Sequence, residues 1–155
     1  MSESAAPVAR FLGFDVGTRL TGVAVGESLT GHARPLTTLP MREGQADAEN
    51  LAQLVREWQP AGLIVGLPLA LDGSEQAMTR RARRFAATLA ERFDPPVHLC
   101  DERHSSPEAA RRFASARASG NKRRHHAAAL DAMAAAVILE TWFSLQSTEP
   151  PAIHD

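Results

Sequence analysis

The sequence predicts one α/β domain in which a mixed five-stranded sheet carries helices on both faces. The chain has 155 residues, which fits a single domain, and 44% of them are hydrophobic, enough for a packed core. Short apolar runs typical of strands fill the first part of the chain, and strands then alternate with helical patterns. The predicted order is β-β-β-α-β-α-β-α-α, an antiparallel meander followed by right-handed βαβ crossovers. We place the domain at residues 8–146, between flexible termini at residues 1–7 and 147–155.

Three strands are predicted to open the domain. Residues 8–16 form an apolar run that ends before Gly17, and residues 21–25 form a second run close enough to make a hairpin with the first. A third strand is expected within residues 32–39, where Pro35 favours an edge position because proline donates no hydrogen bond to a neighbouring strand.

Helices and strands are then predicted to alternate. A helix that ends before Pro60 is indicated by apolar residues at helical spacing, namely Leu51, Leu54, Val55 and Trp58. Residues 62–67 are predicted to form a buried parallel strand. Asp72 and Gly73 indicate a turn, after which Ser74 is expected to cap the next helix. The inner stripe of that helix is predicted to consist of Met78, Ala82, Phe85, Leu89 and Phe93.

The last part of the chain is predicted to hold one more strand and two helices. Residues 97–100 form another buried strand, which runs directly into two acidic residues. Ser105 and Glu108 have the spacing of a capping box, so a helix is expected to begin there. Residues 115–124 are expected to form a mobile loop, and a long final helix is predicted from about residue 125 to 145.

The distribution of charge indicates a nucleic-acid surface, whereas the net charge of −1 indicates no partner. Between Arg80 and Arg124, twelve basic residues stand against five acidic ones, a surplus of seven. Such a local excess is typical of a surface that binds a polyanion, although a single arginine is more commonly part of a solvated helix face. Within this region we assign nucleic-acid binding to Arg80, Arg81, Arg84, Arg103, Lys122, Arg123 and Arg124.

Three further features bear on where the protein acts. Cys100 is the only cysteine, so no internal disulfide can form and a reducing compartment is expected. No apolar run is expected to approach the ~18 residues of a membrane span. Residues 1–7 lack the pattern of a signal peptide. We therefore expect a cytoplasmic protein without membrane contact, either a monomer or a homodimer.

Asp15 is the first acidic residue in a position that stability alone would not select. It lies inside an apolar strand, where an ionised carboxylate is unfavourable unless it is paired or bound to a metal ion. Gly17 and Gly22 leave room for a ligand to approach the backbone. The alternative is a turn-forming aspartate at the end of a strand.

Asp101 and Glu102 end the last predicted strand, where ligand sites of open α/β sheets commonly lie. Adjacent residues of a strand face opposite ways, so only one of the two is expected to point into a shared site. We favour Glu102 as the site residue and keep Asp101 as the alternative, since either could instead pair with Arg103.

Asp131 is the most informative acidic residue. It is predicted to begin the buried stripe of the final helix, which continues through Ala134, Ile138, Trp142 and Leu145. Small neighbours would let this helix approach the sheet closely and leave space around the carboxylate. The alternative is an exposed acid near the start of the helix that interacts with the helix dipole.

Carboxylates from separate elements that meet at one end of a sheet make a hard-oxygen site suited to Mg²⁺ or Mn²⁺. Two such ions can activate a water molecule and stabilise the leaving oxygen in phosphodiester hydrolysis. Lys122, Arg123 and Arg124 directly precede the helix of Asp131 and are placed to hold phosphates beside the acids. The residues therefore predict metal-dependent cleavage of a nucleic-acid backbone.

Four motifs in order resemble the YqgF (RuvX) family. They are FLGFDVGT with GVAV at residues 11–18 and 22–25, VGLP with DGS at 65–68 and 72–74, DER at 101–103, and LDAMAA with IL at 130–135 and 138–139. The resemblance covers residues 10–142, nearly the whole chain. It implies an RNase H-like fold and a nuclease that matures the 5′ end of pre-16S ribosomal RNA in bacteria.

The resemblance also implies site residues. Asp15, Asp131 and either Glu102 or Asp101 would be the catalytic acids, and Arg103 would steady the adjacent loop. The family commonly has an apolar residue where this chain has His104. The fourth main strand ends in Leu-Pro without the acid found in resolvase relatives, which disfavours junction resolution.

Three other functions compete with this prediction. Residues 15–18 also resemble the phosphate loop of actin-like and sugar kinases, but those need two related domains and this chain has room for one. A Holliday junction resolvase acting on branched DNA would use the same acids. A non-catalytic nucleic-acid-binding factor in transcription or ribosome assembly would not need all three acids, which are present here.

Overall fold

The computed structural model describes residues 9–105, 107, 111 and 123–148, with side chains of the last helix described from residue 128 to 146. The predicted helix start at residues 105–108 and the loop at residues 115–124 lie largely outside the described residues. Lys122, the residues before 9 and the residues after 148 lie outside them entirely.

One mixed sheet of six strands organises the described structure, in the order β4-β3-β2-β1-β5-β6. Strands β1 to β4 are successively antiparallel, and β1, β5 and β6 run parallel to one another. The strands are β1 (Arg10–Asp15), β2 (Leu20–Glu27), β3 (His32–Arg42), β4 (Gln45–Ala46), β5 (Gly62–Leu67) and β6 (Val97–Asp101). The mixed sheet was predicted correctly, but β4 was not, because two residues carry no detectable apolar pattern.

The helices cover both faces of the sheet, as predicted. They are α1 (Ala48–Trp58), α2 (Ala77–Arg92), a 3₁₀ turn (Glu102–His104) and α3 (Arg123–Thr148). Helices α1 and α2 pack their apolar residues against one face of the sheet, around Phe14 and Leu63. Helix α3 packs on the opposite face, around Ala24 and Ile64. The parallel strands therefore lie between two layers of helices, which is why β1 and β5 are nearly continuous apolar runs.

Two local predictions were wrong, one about the start of α2 and one about the burial of β6. Ser74 does not cap α2, because it still belongs to the preceding turn, in which its N–H donates to Asp72 Oδ1 at 2.9 Å. The helix begins later, where the N–H of its N-cap residue Gln76 donates to Thr79 Oγ1 at 3.0 Å. Strand β6 is not fully buried, because it forms the edge of the sheet and leaves Leu99 40% exposed.

The buried face of α3 differs from the predicted stripe. The predicted stripe residue Ile138 is buried, but Leu145 is 37% exposed, and the other buried positions include Ala132, Ala135, Leu139 and Phe143. The described part of the helix is apolar on most of its circumference, so apolar spacing does not single out one face. Small residues allow α3 to approach the sheet closely, as the contact between Gly22 and the backbone of Asp131 shows.

Helix α3 also corrects the expectation about apolar length. Its segment Ala128–Gln146 has 19 residues with a mean hydropathy of 1.5, which is long and apolar enough to span a membrane by length and composition alone. Half of this segment is buried within the protein, where it packs against the sheet. Its apolar character is therefore explained by its place in the core.

Glu140 joins α3 to the sheet through a buried polar contact. Its side chain is 7% exposed, and its Oε2 accepts a hydrogen bond from the N–H of Ala33 in β3 at 2.7 Å. We expect Glu140→Ala to lower the free energy of unfolding by about 1–3 kcal/mol, because a buried N–H loses an acceptor. Glu140→Gln keeps an acceptor oxygen and should recover most of this loss. Urea denaturation of the two variants tests the contact, and equal stability of Glu140→Ala and the wild type would contradict it.

Candidate active site

The carboxyl ends of the parallel strands form the candidate site. Strand β1 ends at Asp15 and lies beside β5, which in turn lies beside β6. Asp15 is paired across the β1–β2 hairpin with Gly22, and there α3 crosses the sheet. A Cβ atom placed on Gly22 would lie only 1.9 Å from the carbonyl oxygen of Asp131. The absence of a side chain at residue 22 therefore brings the backbone of Asp131 next to the end of β1.

Glu102 reaches the same place from the edge of the sheet. A Cβ placed on Gly66 would lie 2.7 Å from Glu102 Oε2 and 2.5 Å from Ile138 Cδ1. The Glu102 carboxylate thus lies over the end of β5, the strand directly beside β1. Together with Asp15 and Asp131, it forms what we call the acidic triad.

Asp101 binds Arg103. Its carboxylate accepts hydrogen bonds from Arg103 Nη2 at 2.7 Å and from the Arg103 backbone N–H at 2.9 Å. These hydrogen bonds hold the pKa of Asp101 below its usual value. This geometry agrees with the preference for Glu102 over Asp101, since Glu102 lies over Gly66 beside β1 and Asp101 pairs with Arg103, and the choice of site residue stays a prediction.

Burial raises the pKa values of all members of the acidic triad, and neighbouring negative charge does so for two of them. Burial, followed by the charge of Asp131, raises the pKa of Asp15 to about 6. Burial, followed by the charges of Asp15 and Asp101, raises the pKa of Glu102 to about 7. Burial raises the pKa of Asp131. A negative charge on one carboxylate makes ionisation of its neighbour less favourable. Near neutral pH the triad is therefore expected to bind either a proton or a cation.

The donor chemistry of the acidic triad fits a hard divalent cation, although the site is not preassembled. Within the described part of the chain, no group of three or more His, Cys, Asp or Glu side chains is close enough to hold a metal ion as it stands. The pKa values of Asp15 and Glu102 are raised mainly by burial and in addition by the negative charge of neighbouring carboxylates. Carboxylate oxygens are the ligands that Mg²⁺ and Mn²⁺ prefer, and a cation would offset this negative charge.

The predicted basic residues fall into three groups. Arg80 and Arg84 are exposed on α2, Arg81 is partly buried, and Arg103 pairs with Asp101 as described. The backbones of Arg123 and Arg124 form the start of α3, about two helical turns before Asp131. Their side chains and all of Lys122 lie outside the described residues.

Residues 69–75, which we call the 69–75 loop, were not predicted to take part in the site. Arg103 Nη1 donates a hydrogen bond to the carbonyl oxygen of Leu71 at 3.3 Å, so the loop is attached to the same arginine that binds Asp101. The sequence offered one signal, an apolar residue directly before the Asp72–Gly73 turn. Asp72 and Gly73 predicted the turn itself, without a role for the apolar residue.

Comparison with known proteins identifies the family. Residues 9–145 match the family model described as RuvX, Holliday junction resolvase. This chain belongs to the RuvX family. A relative from Xanthomonas campestris is 53% identical over 138 residues, which cover 89% of each chain, and one from Xylella fastidiosa is 51% identical over 142 residues, 90% of this chain and 92% of the relative. Both relatives are named as candidate pre-16S rRNA nucleases.

The fold of this RuvX chain also has a distant structural counterpart. Thermus thermophilus RuvC, solved in complex with a Holliday junction substrate, superposes with a TM-score of 0.51 at 16% identity. The match covers 90% of this chain and 96% of RuvC. It supports the predicted RNase H-like fold, a mixed sheet with helices on both faces.

The raised pKa values predict how the stability of this RuvX protein depends on pH. Asp15 and Glu102 are stabilised in their neutral forms by the folded state, with pKa values of about 6 and about 7 against ordinary values of 3.8 and 4.5. The contribution of these two neutral carboxyl groups to the free energy of unfolding is full below pH 3.8 and is lost as the pH rises through 6 and 7. We expect the metal-free protein to lose about 1–3 kcal/mol of unfolding free energy between pH 5 and pH 8, after allowance for partial exposure.

Urea denaturation with EDTA at a series of pH values measures this loss. Glu102→Gln cannot ionise at this position and should show a flatter pH profile with higher stability at pH 8. Identical profiles for this variant and the wild type would show that Glu102 does not carry the effect.

Proposed function

We propose that this RuvX protein is a metal-dependent endonuclease that processes the 5′ end of pre-16S ribosomal RNA in the cytoplasm during ribosome biogenesis. The observation that carries the proposal is the convergence of Asp15, Glu102 and Asp131 at the carboxyl ends of the parallel strands. The names of the RuvX relatives support ribosomal precursor RNA as the substrate.

The acidic triad would hold Mg²⁺ or Mn²⁺. A bound divalent cation supplies Lewis acidity to phosphodiester hydrolysis. Asp15, near the centre of the triad, interacts with the charges of both other acids, since its own pKa responds to Asp131 and that of Glu102 responds to Asp15. In the metal-free protein the Glu102 carboxyl group exchanges a proton near pH 7, and cation binding would release that proton. Asp101 positions Arg103 rather than joining the triad.

Helix α2 is proposed to guide the nucleic-acid backbone towards the triad. Arg83 is engaged by Glu75 at 2.6 Å, whereas Arg80 and Arg84 form no ion pair within the described part of the chain. Residues four apart lie on one side of a helix, so these two arginines present a pair of cations to the same strand. Arg81, Arg103, Lys122, Arg123 and Arg124 are proposed to add to this surface.

This surface can be tested against an internal control. We expect the double variant Arg80→Ala/Arg84→Ala to bind RNA more weakly and to reduce the salt dependence of binding by about one to two counterions. Arg83→Ala should leave that dependence close to the wild-type value, because its guanidinium already pairs with Glu75. Fluorescence anisotropy at several salt concentrations measures the slope. Equal slopes for all three proteins would remove α2 from the proposed surface.

Cleavage assays with two substrates test the function as a whole. Purified protein is incubated with a 16S precursor RNA and with a four-way DNA junction, each in Mg²⁺, Mn²⁺ or EDTA. Metal-dependent cleavage of the RNA near the mature 5′ end supports the proposal. Selective cleavage of the junction would instead support the activity named for the family model. Binding without cleavage would indicate a non-catalytic factor, and cleavage that persists in EDTA would contradict the metal mechanism.

A further inference from the structure

Leu71 is the most exposed large apolar side chain in the part of the chain that the structure describes. It is 94% exposed, compared with 80% for Leu29 in a hairpin turn and 40% for Leu99 on the edge strand. A single exposed leucine is common on protein surfaces and would not by itself indicate a function. The setting of Leu71 is what distinguishes it.

The 69–75 loop holds Leu71 at the tip of a closed turn. The loop is closed by a bridge between Leu69 and Glu75, and inside it the N–H of Ala70 donates to the carbonyl of Ser74 at 3.0 Å. The N–H of Gly73 donates to Ala70 O at 2.8 Å, with Gly73 at a φ of +90° that favours glycine. The backbone that carries Leu71 is therefore well defined although its side chain contacts little.

Arg103 fixes this tip relative to the acidic triad. Its Nη1 donates to the carbonyl of Leu71 at 3.3 Å and lies 3.3 Å from where a Cβ on Gly73 would be. The same guanidinium donates from Nη2 to Asp101 at 2.7 Å. Arg103 directly follows Glu102 in the chain, so one arginine connects the apolar tip to a triad carboxylate.

We propose that Leu71 is a specificity-determining residue that contacts an unstacked base of the substrate strand beside the scissile phosphate. The inference rests on the proposed nuclease function and adds to it how the cut position is selected. An apolar side chain cannot bind phosphate, but it can pack against the face of a base that has left its stack. The exposed arginines of α2 follow the loop in the chain and would hold the backbone of the same strand. Base contact at Leu71 and phosphate contact at α2 together set the register of the strand over the triad.

A binding experiment tests the base contact without requiring cleavage. A set of single-stranded RNA oligonucleotides spans the mature 5′ end, and each carries one 2-aminopurine moved by one position along the series. Titration in EDTA should show a fluorescence change confined to one or two adjacent positions. Leu71→Ser should abolish that change and weaken binding roughly tenfold, as expected for losing a buried leucine contact. Leu71→Phe, which preserves an apolar face, should retain it.

Leu29→Ser is the matched control, because it removes another highly exposed leucine from a turn at the opposite end of β2 from Gly22. We expect it to bind like the wild type. A Leu71→Ser protein that binds like the wild type, or a loss of the same size in both serine variants, would overturn the proposal. Thermal unfolding should show both variants folded, since neither side chain is buried.

Product mapping then connects the contact to the reaction. In Mg²⁺, Leu71→Ser should spread cleavage over neighbouring phosphodiester bonds and raise KM more than it lowers kcat. Unchanged cut positions would overturn the selection role. If the wild type cleaves no RNA, the proposed nuclease function fails, while the fluorescence series still decides independently whether Leu71 contacts a base.

Discussion

Asp15→Asn is expected to reduce metal-dependent cleavage by more than about a hundredfold, since loss of a residue that only supports a metal ligand commonly costs 10–100-fold. The substitution keeps the shape of the side chain and removes the charge at the centre of the acidic triad. The triad then keeps only two carboxylates to hold a divalent cation, so Mn²⁺ affinity measured by calorimetry should fall together with the rate.

The stability of Asp15→Asn separates loss of chemistry from loss of folding. Burial and the charge of Asp131 oppose ionisation of Asp15, so its amide should make the metal-free protein equally or more stable at pH 8. An inactive and more stable protein is difficult to explain by misfolding. Retention of wild-type cleavage by Asp15→Asn would remove the triad from the mechanism.

Asp101→Asn is the matched comparison, because it makes the same change of residue type. Asp101 directly precedes Glu102 in the chain and binds Arg103. We expect a smaller loss, about tenfold, through movement of Arg103 and the 69–75 loop rather than through metal affinity. Mn²⁺ affinity should stay close to the wild-type value. If Asp101→Asn lost metal binding and Asp15→Asn did not, the assignment of Glu102 over Asp101 would be wrong.

The sequence was informative about the triad because each acid breaks a local pattern. Asp15 interrupts an apolar strand, Glu102 follows another strand, and Asp131 interrupts a helix rich in alanine. The sequence favoured Glu102 and left Asp101 as the alternative, because the direction of the Glu102 side chain depends on a 3₁₀ turn that begins at Glu102 and turns it towards Gly66. Such a short turn leaves no periodic pattern.

The incorrect predictions also have physical causes. The buried face of α3 was misplaced because most of the helix is apolar, so only its contacts with the sheet define the inner side. Ser74 was misassigned as a cap because the turn at Asp72 and Gly73 extends through it and α2 begins only at Ala77. In α3, contacts distant in the sequence selected one of the arrangements that the local residues permitted, whereas at Ser74 the neighbouring turn did so.

Gly22→Ala is expected to be the most destabilising small substitution at the site. The added Cβ would lie 1.9 Å from the carbonyl oxygen and 2.4 Å from the carbonyl carbon of Asp131, and both are backbone atoms that cannot rotate away. Helix α3 would have to move outward from β2, which would open the core around Ala24 and Leu139. We expect a loss of more than about 3 kcal/mol of unfolding free energy, at or beyond the upper end of overpacking effects.

Gly13→Ala tests whether this loss comes from the helix crossing at Asp131 rather than from strand glycines in general. Its added Cβ would meet Leu139 Cβ at 3.0 Å and the carbonyl of Ala135 at 3.1 Å, which small shifts can accommodate. Urea denaturation should therefore place Gly13→Ala between the wild type and Gly22→Ala. Any folded Gly22→Ala should bind Mn²⁺ weakly, because displacement of α3 carries Asp131 away from Asp15. If Gly22→Ala were as stable and as metal-competent as Gly13→Ala, the close approach that assembles the acidic triad would not exist, and the proposed nuclease site would lose its third carboxylate.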